Sequence, residues 1–346
     1  MIRILFGLYM SRKDEVEKYF KLQFGLGTTY EKQEDAKYLK IEMLSDLRYI
    51  YRYRGVKEIE RLVSCIKMGQ LIDMRLSHPS DLNDPYDTWL PLVYLKTNEI
   101  KREVTRGYYK LACENGNLDP VKSKECCEKF RYNLEISDFD DWFDRIFEIL
   151  LEYWDTSITK EELKQKQIQK IREEHEKSWR KEQENFGIAS FAEKCDSLLM
   201  WGHYADSHKG ICLVYDVVDL FLIREPKNIL DWIHPVRYVP DTSTILSEWE
   251  KIATNQELTD AQKGDIFQKT LLTKSLDWES ENEWRFAFRF QNSEYQYVPW
   301  APCRIYLGVN IDTKNEEAIR KIADERNIPV NKMQLADNQY KLIAGD

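Results

Sequence analysis

Two glutamates, Glu281 and Glu283, are the side chains whose type and spacing point most directly to chemistry. They precede the run Trp284–Phe290, in which apolar residues alternate with arginines and alanine, and this period of two predicts a β-strand. Because residues i and i+2 of a strand share a face, we expect both carboxylates to point the same way. Such a pair could stabilise a developing positive charge, as at the anomeric carbon of a sugar. The alternative is an acidic strand start that faces water.

Two cations, Lys274 and Arg285, flank the glutamates in the sequence. One interpretation is that they bind a ligand beside the carboxylates. The rival interpretation is that they neutralise the carboxylates in a structural ion-pair network, which also perturbs pKa values without any catalytic role. The sequence leaves both interpretations open.

Metal-binding patterns are weak in this chain. His203 and His208 lie five residues apart, whereas two histidine ligands on one helix usually lie four apart. The aspartates Asp81, Asp84 and Asp87 lack the glycine and glutamate of an EF-hand loop, so we interpret their segment as a capped turn that forms the wall of a cleft. We therefore expect no bound metal.

Composition predicts a folded protein of the reduced cytoplasm. The 346 residues are 42% hydrophobic and 13% aromatic, which is enough for a core, and the net charge of −9 argues against broad non-specific binding of nucleic acid. Seven cysteines occur without a C-x-x-C pair, which disfavours a zinc ribbon and is typical of free thiols. No apolar run approaches the roughly 18 residues of a membrane span, so we expect no membrane partner and a cytoplasmic location.

The distribution of apolar residues predicts an α+β core with two helical insertions. We expect an N-terminal helical segment over 1–48, a core over 49–94 and 186–346, a first insertion over 95–185, and a second insertion over 243–274. Strands scattered among helices, without regular βαβ alternation, favour a mixed or antiparallel sheet. The chain has no glycine-rich dinucleotide or P-loop motif, which argues against a Rossmann or P-loop site.

Within the core, the pattern predicts individual strands and helices. The predicted strands are Tyr49–Tyr53, Leu71–Leu76, Ile211–Asp216, Val236–Val239, Trp284–Phe290 and Arg304–Val309. The predicted helices are one that begins near Val56 and ends before Gly69, one at Ser197–Ala205, and one at Glu316–Arg326. We also expect one long, exposed and highly charged helix over Thr159–Glu184.

Four blocks of sequence resemble a bacterial family known only as domain of unknown function 2971. The blocks lie in the family's order over roughly residues 49 to 290. The last two blocks in the chain are specific to the family only in combination. They are Tyr51–Arg54, Asn83–Asp87, Leu199–Gly210, and Lys274 with Trp278 and Glu281–Arg285. This resemblance implies no activity, because the family has none assigned.

A more distant resemblance is to the ADP-ribosyltransferase superfamily, which cleaves NAD in a cleft between two small sheets. The superfamily places an arginine or histidine on its first core strand, a serine or tyrosine in the middle, and a glutamate late in the chain. Arg52, Ser190 and Glu283 stand in that order here. The resemblance implies an ADP-ribosyltransferase-like split sheet and NAD as the substrate. The chain departs from the pattern by lacking a Ser-Thr-Ser motif at Ser190.

The resemblance also implies roles for individual residues. Glu283 would bind the ribose and stabilise the oxocarbenium-like transition state, and Glu281 would orient or deprotonate the acceptor. Arg52 would bind the diphosphate through its planar fork. The other implied ligand-binding residues are Tyr53, Ser190, His203, Tyr204, Lys274 and Arg285.

The predicted function is therefore transfer of ADP-ribose from NAD to a protein or nucleic acid, or hydrolysis of NAD. The resemblance places such an activity in a bacterial toxin or in phage defence, where the helical insertions would bind an antitoxin or regulatory partner. One alternative is a non-catalytic module that binds a nucleotide or a nucleic-acid end. A second alternative is a nuclease, which the carboxylates permit but which their spacing does not favour.

Overall fold

The structure is a computed structural model that describes residues 10–25, 28–67, 74–84, 86–88, 98–114, 118–136, 138–154, 159–223, 229–243, 245, 259–289 and 297–345. The chain divides into two compact units that are each built from separate segments. The first unit comprises Met1–Thr88, Gln183–Pro240 and Leu271–Asp346, and the second unit comprises Trp89–Glu182 and Asp241–Thr270.

Helices and strands are both abundant among the described residues. In chain order the α-helices are α1 (Arg12–Phe24), α2 (Tyr30–Leu47), α3 (Val56–Lys67), α4 (Asn98–Glu114), α5 (Pro120–Tyr132), α6 (Phe139–Tyr153), α7 (Lys160–Gln183), α8 (Leu198–Tyr204), α9 (Val217–Leu222), α10 (Asp260–Leu271) and α11 (Thr313–Glu325). The strands are β1 (Tyr49–Arg54), β2 (Met74–Arg75), β3 (Phe186–Phe191), β4 (Ile211–Asp216), β5 (Ile233–Pro235), β6 (Arg237–Val239), β7 (Thr273–Ser275), β8 (Trp284–Arg289), β9 (Tyr297–Val298), β10 (Arg304–Leu307), β11 (Val330–Leu335) and β12 (Leu342–Ala344).

All described strands lie in the first unit and form small sheets. The largest sheet has the order β1-β4-β10-β11-β12, in which only β10 and β11 run parallel. A second, antiparallel sheet has the order β3-β8-β5. Two further pairs, β2-β9 and β6-β7, complete the described strands. Mixed sheets beside helices confirm the predicted α+β class.

Strand β4 lies inside the largest sheet because its side chains suit burial on both faces. Its first five residues are buried, and it pairs with β1 on one side and β10 on the other. A Cβ atom on Gly210, the residue before this strand, would lie 2.1 Å from the carbonyl oxygen of Arg54. Only glycine therefore allows β1 and the start of β4 to approach this closely.

The turn between α8 and β4 has an unusual backbone. Three consecutive residues, Asp206, Ser207 and His208, have φ angles of 46°, 55° and 67°. The turn is anchored because Asp206 accepts a 2.7 Å hydrogen bond from the backbone N–H of Val56 at the start of α3. The imidazole of His208 stacks on the indole of Trp201, with ring centroids 6.3 Å apart. These contacts hold the left-handed backbone that L-residues disfavour.

The second unit, in its described residues, has a helical core of its own. Helix α6 supplies Trp142, Phe143 and Ile146, each at most 1% exposed, and α5 supplies Phe130 at 0%. The side chain of Lys101 in α4 donates to the carbonyl oxygen of Ile136, which ties α4 to the segment after α5. The long charged helix predicted for this region is confirmed as α7.

Several boundaries differ from the predictions. The first strand, the long helix and the strands around Ile211, Trp284 and Arg304 are confirmed within two residues. The predicted strand Leu71–Leu76 is observed only as β2, and Gly69 and residues 71–73 lie outside the described residues. The predicted insertion 243–274 is wrong at its end, because α10 stops at Leu271 and Lys274 lies on β7. Strands β11 and β12 were not predicted.

Candidate functional site

Arg285 is the centre of a buried cluster of charges in the first unit. The residue is 0% exposed. The guanidinium donates to the two oxygens of Asp87 at 2.8 and 2.9 Å, and to the two oxygens of Glu283 at 2.9 and 3.1 Å. A fifth bond runs to the carbonyl oxygen of Leu271 at 2.7 Å. All five N–H donors of the guanidinium are thus used, an arrangement that lysine could not reproduce.

Lys274 joins the second glutamate to this cluster. Its ammonium lies 2.6 Å from Glu281 Oε2, 3.5 Å from Glu283 Oε2 and 3.8 Å from Asp87 Oδ2. The other oxygen of Glu281 accepts a 2.7 Å hydrogen bond from the hydroxyl of Tyr204 on α8. Three carboxylates therefore surround two cations, which leaves the cluster with a formal charge of −1.

The two glutamates converge for a reason other than the predicted one. Neither lies on a strand, because β8 begins at Trp284 and Glu281 ends a 3₁₀ helix that runs from Leu276. Between them Asn282 adopts a left-handed conformation, with φ 45° and ψ 53°, which asparagine tolerates better than most residues. This reversal, and not strand alternation, brings both carboxylates to Lys274. The expectation of a shared strand face is wrong, although both side chains meet at the same ammonium.

The cluster shifts the pKa values of its two glutamates in opposite directions. Burial, reinforced by the charge of Glu283, raises the pKa of Glu281 above its ordinary value although Lys274 opposes the shift. Burial also acts to raise the pKa of Glu283, but the charges of Arg285 and Lys274 outweigh it and lower that pKa. Glu283 is therefore held as a carboxylate, and Glu281 is the group of the pair that more readily takes up a proton.

A cavity of about 120 Å³ lies against the cluster. Asp87, Glu281, Glu283, Lys274 and Arg285 line it together with Tyr204. The remaining lining side chains come from β1, from β3 and the residue after it, from α8 and from the segment before Asp87. They are Tyr51, Tyr53, Arg54, Ser77, Asp81, Leu82, Asn83, Asp84, Ile188, Ser190, Phe191, Ala192 and Met200.

Arg54 is the cation of β1 that lines this cavity. Its Nε atom is buried and has no hydrogen-bond partner among the described residues. Burial lowers the pKa of Arg54, and the negative charge of Glu58 is the main influence that opposes the shift. A half-buried guanidinium that lines the cavity is well suited to bind an anion there.

Arg52 does not occupy the position that the resemblance implies. It is 4% exposed and does not line the cavity. One amino group donates to the carbonyl oxygen of Arg75 at 2.8 Å, and the guanidinium carbon lies 6.0 Å from the ring centre of Phe191. On β1 successive side chains point to opposite faces, so Arg52 and Arg54 share a face, but Arg54 reaches the cavity and Arg52 packs beside it.

The other predicted site residues also fall into two groups, those that line the cavity and those that do not. Tyr53, Ser190 and Tyr204 all line the cavity. The Tyr53 hydroxyl donates to the carbonyl oxygen of Lys194 at 2.7 Å, and the Ser190 hydroxyl hydrogen-bonds the Glu283 carboxylate. His203 does not line the cavity. It is exposed on α8, and its ring lies edge-on to the ring of Trp278 with centroids 6.0 Å apart.

Sequence reasoning missed two residues of this site, Asp87 and Arg54. Both lie in blocks that carried the family resemblance, but no periodicity shows that Asp87 pairs with Arg285 across 198 positions of sequence. The predicted capped turn before Asp87 is present: the Tyr86 N–H donates to the side chain of Asp84 at 2.9 Å, and the Asp87 N–H donates to its carbonyl. This turn delivers Asp87 to the cluster.

The described part of the chain holds neither a cluster of metal ligands nor a membrane-spanning helix. No three His, Cys, Asp or Glu side chains there are placed to hold a metal ion. No described helix combines the length and apolar character needed to cross a bilayer.

Comparison with known proteins gives one match. Residues 200–286 match a family model described as protein of unknown function (DUF2971). This confirms the predicted resemblance over part of its expected extent, and the matched span includes Tyr204, Lys274, Glu281, Glu283 and Arg285. No curated protein and no solved structure matched the chain.

Proposed function

We propose that the first unit cleaves the nicotinamide–ribose bond of NAD, in the manner of ADP-ribosyltransferases, and passes ADP-ribose to a macromolecule or to water. The observation that carries the proposal is that one cavity is lined both by a buried cluster of net negative charge and by a separate cation, Arg54. Glu281 and Glu283 lie on the cluster side, and Arg54 lies on β1. NAD has the complementary pattern, with a cationic nicotinamide ring at one end and an anionic diphosphate beyond the ribose.

The size of the cavity favours entry of one end of the dinucleotide only. Its volume of about 120 Å³ is comparable to the ~150 Å³ cavity that accepts a benzene molecule, and is far smaller than the roughly 300–1,000 Å³ of pockets for whole ligands. A single six-membered ring fits that space. Tyr51, Tyr53 and Tyr204 provide aromatic surface for it, and the diphosphate would lie near Arg54.

The opposed pKa shifts of the glutamates support a division of roles. Glu283 is held as an anion by Arg285, so its charge can stabilise the oxocarbenium-like transition state without gaining a proton. Glu281, whose pKa is raised by burial, can accept the proton of the attacking hydroxyl or water. The C1′–N bond breaks, nicotinamide leaves as a neutral molecule, and the acceptor oxygen forms the new bond to C1′.

The test is to measure nicotinamide release from NAD by the wild type and by Glu281→Gln, with and without cell extract as a source of acceptor. Removing the proton acceptor is expected to reduce release by about 100-fold or more. Glu279→Gln is the matched control, because this exposed glutamate lies on the same 3₁₀ helix and outside the cavity lining. Its activity is expected to equal that of the wild type. Absence of release by the wild type under all acceptor conditions would refute the proposal.

A second candidate function is a binding module without catalysis. It is favoured by the observation that each carboxylate of the cluster already bonds Lys274 or Arg285, as in a structural ion-pair network. In that case calorimetry would show NAD or a related nucleotide binding to the wild type, and Arg54→Gln would weaken binding. Glu281→Gln would bind with unchanged affinity, and no nicotinamide would be released.

A further inference from the structure

The second unit has a positively charged groove on α4 and α5. Four cations line it: Arg102, Arg106 and Lys110 recur every fourth residue along α4, and Arg131 lies in the last turn of α5. All four are exposed. With Thr105 and Tyr109, these residues are called the basic groove below. Its volume is about 630 Å³, and none of the described residues that line it is acidic.

Three of the four cations of the groove have no ion-pair partner among the described residues. Within the described part of the chain, Arg102, Arg106 and Arg131 form no ion pair, although the chain as a whole carries a net charge of −9. Clustered positive charges in an otherwise acidic protein produce a positive electrostatic potential in that groove. Guanidinium groups bind phosphate oxygens in a planar two-pronged geometry.

Thr105 provides an independent sign of a missing partner. Its side chain is 5% exposed and lines the groove, and its hydroxyl has no hydrogen-bond partner among the described residues. A buried hydroxyl normally has a partner, and a threonine inside a helix can bond the carbonyl four residues earlier.

Tyr109 and the shape of the groove determine which anion fits. The ring of Tyr109 lies among the cations and is 41% exposed, so a base can stack on it. Arg102 to Lys110 spans about 12 Å along the helix axis, which is long enough to contact more than one phosphate of a strand. Cations interleaved with an accessible aromatic ring suit unstacked bases and their backbone rather than an isolated phosphate.

We propose that the basic groove binds single-stranded nucleic acid. The phosphodiester backbone contacts the cations, and one base stacks on Tyr109. This proposal does not depend on the NAD chemistry of the first unit, because the residues of the groove and of the cavity are entirely different.

The test uses the full chain and fluorescein-labelled 12-nucleotide DNA and RNA, followed by fluorescence anisotropy from 50 to 200 mM salt. The double substitution Arg102→Glu with Arg106→Glu is expected to weaken binding at least tenfold at 50 mM salt. It is also expected to reduce the slope of log K against log salt by about 1.4, because each lost phosphate contact on a single strand contributes about 0.7. Tyr109→Ala is expected to weaken binding at least fivefold without changing the slope.

The matched control makes the same change of charge elsewhere in the second unit. Arg145 on α6 and Lys170 on α7 are 63% and 69% exposed, and neither lines the groove. Arg145→Glu with Lys170→Glu is expected to bind within twofold of the wild type. Three results would each overturn the proposal: no binding by the wild type at 50 mM salt, equal loss in the two double variants, or displacement of the oligonucleotide by inorganic polyphosphate as effectively as by unlabelled oligonucleotide.

Discussion

At the scale of single residues, Arg285 determines the arrangement of the candidate site. It bonds two carboxylates that approach from separate segments, Asp87 from the turn after β2 and Glu283 from the residue before β8. A buried charge without its partner is costly, so each member of the cluster depends on the others. The same contacts that stabilise the fold therefore also set the positions of the carboxylates beside the cavity.

Replacing Arg285 by lysine is expected to lower the free energy of unfolding by about 3 kcal/mol, because an ammonium cannot bond both carboxylates in pairs. Urea unfolding followed by far-UV circular dichroism measures this loss. Arg289→Lys is the control, since Arg289 lies exposed on the same strand and is expected to lose less than about 0.5 kcal/mol. Equal losses at the two positions would show that the paired geometry is unimportant.

At the scale of elements, the block Leu199–Gly210 has a structural role that its sequence does not show. Helix α8 brings Tyr204 to Glu281, and the left-handed turn after it brings Asp206 to the start of α3. Gly210 then allows β4 to approach β1. The segment thus fixes one wall of the cavity relative to the strand that carries Arg54.

Two glycines of this block are expected to respond oppositely to alanine. Gly210→Ala would place a Cβ atom 2.1 Å from the Arg54 carbonyl oxygen, so we expect a loss of more than about 2 kcal/mol. Gly202 lies inside α8, and nothing lies within 4 Å of the place that an alanine Cβ would take, so alanine there should add about 0.5–1 kcal/mol. Thermal unfolding of both variants tests the pair, and destabilisation by both would contradict the steric explanation.

The site was less predictable from the sequence than the elements around it. Apolar and aromatic runs of strand length found β1, β4 and β8, and a long, highly charged run without glycine or proline found α7. They could not reveal the Asp87–Arg285 bond or the separation of Arg52 from the cavity, which depend on contacts between distant segments. Strand β11 was missed because only Met333 within it is buried, which leaves no alternating apolar pattern.

At the scale of the whole molecule, His234 links the N-terminal helices to the sheet of β5 and β8. It is 2% exposed, and its Nδ1 atom lies 2.6 Å from the hydroxyl of Tyr19 on α1. Burial, and secondly the charge of Lys40 on α2, lowers the pKa of His234 well below its ordinary value, while Asp231 opposes the shift. The folded protein therefore excludes the proton that the unfolded chain binds below about pH 6.5.

Acid is expected to destabilise the wild type through this histidine. Because the folded-state pKa is lowered, stability that is present above about pH 6.5 is lost as the pH falls, at about 1.4 kcal/mol for each unit. His234→Gln removes this contribution, so its free energy of unfolding should fall less steeply from about pH 6.5 to about pH 5.5. Denaturant unfolding at each pH measures the difference, and His203→Gln, at an exposed position, serves as the control. Parallel curves for the wild type and His234→Gln would contradict the prediction.

The pairing of β1 with β4 also has a consequence for synthesis of the protein. Tyr53 pairs with Cys212, so β1 leaves the ribosome well before its partner has been made. Because synthesis proceeds at about 5–20 residues per second, β1 remains unpaired for on the order of 10 to 30 s before β4 has been made. Arg52 and Arg54 interrupt its run of tyrosines, and charges in such a strand oppose aggregation during exposure. In the folded structure only Arg54 lines the cavity, but in the nascent chain both arginines oppose aggregation of β1.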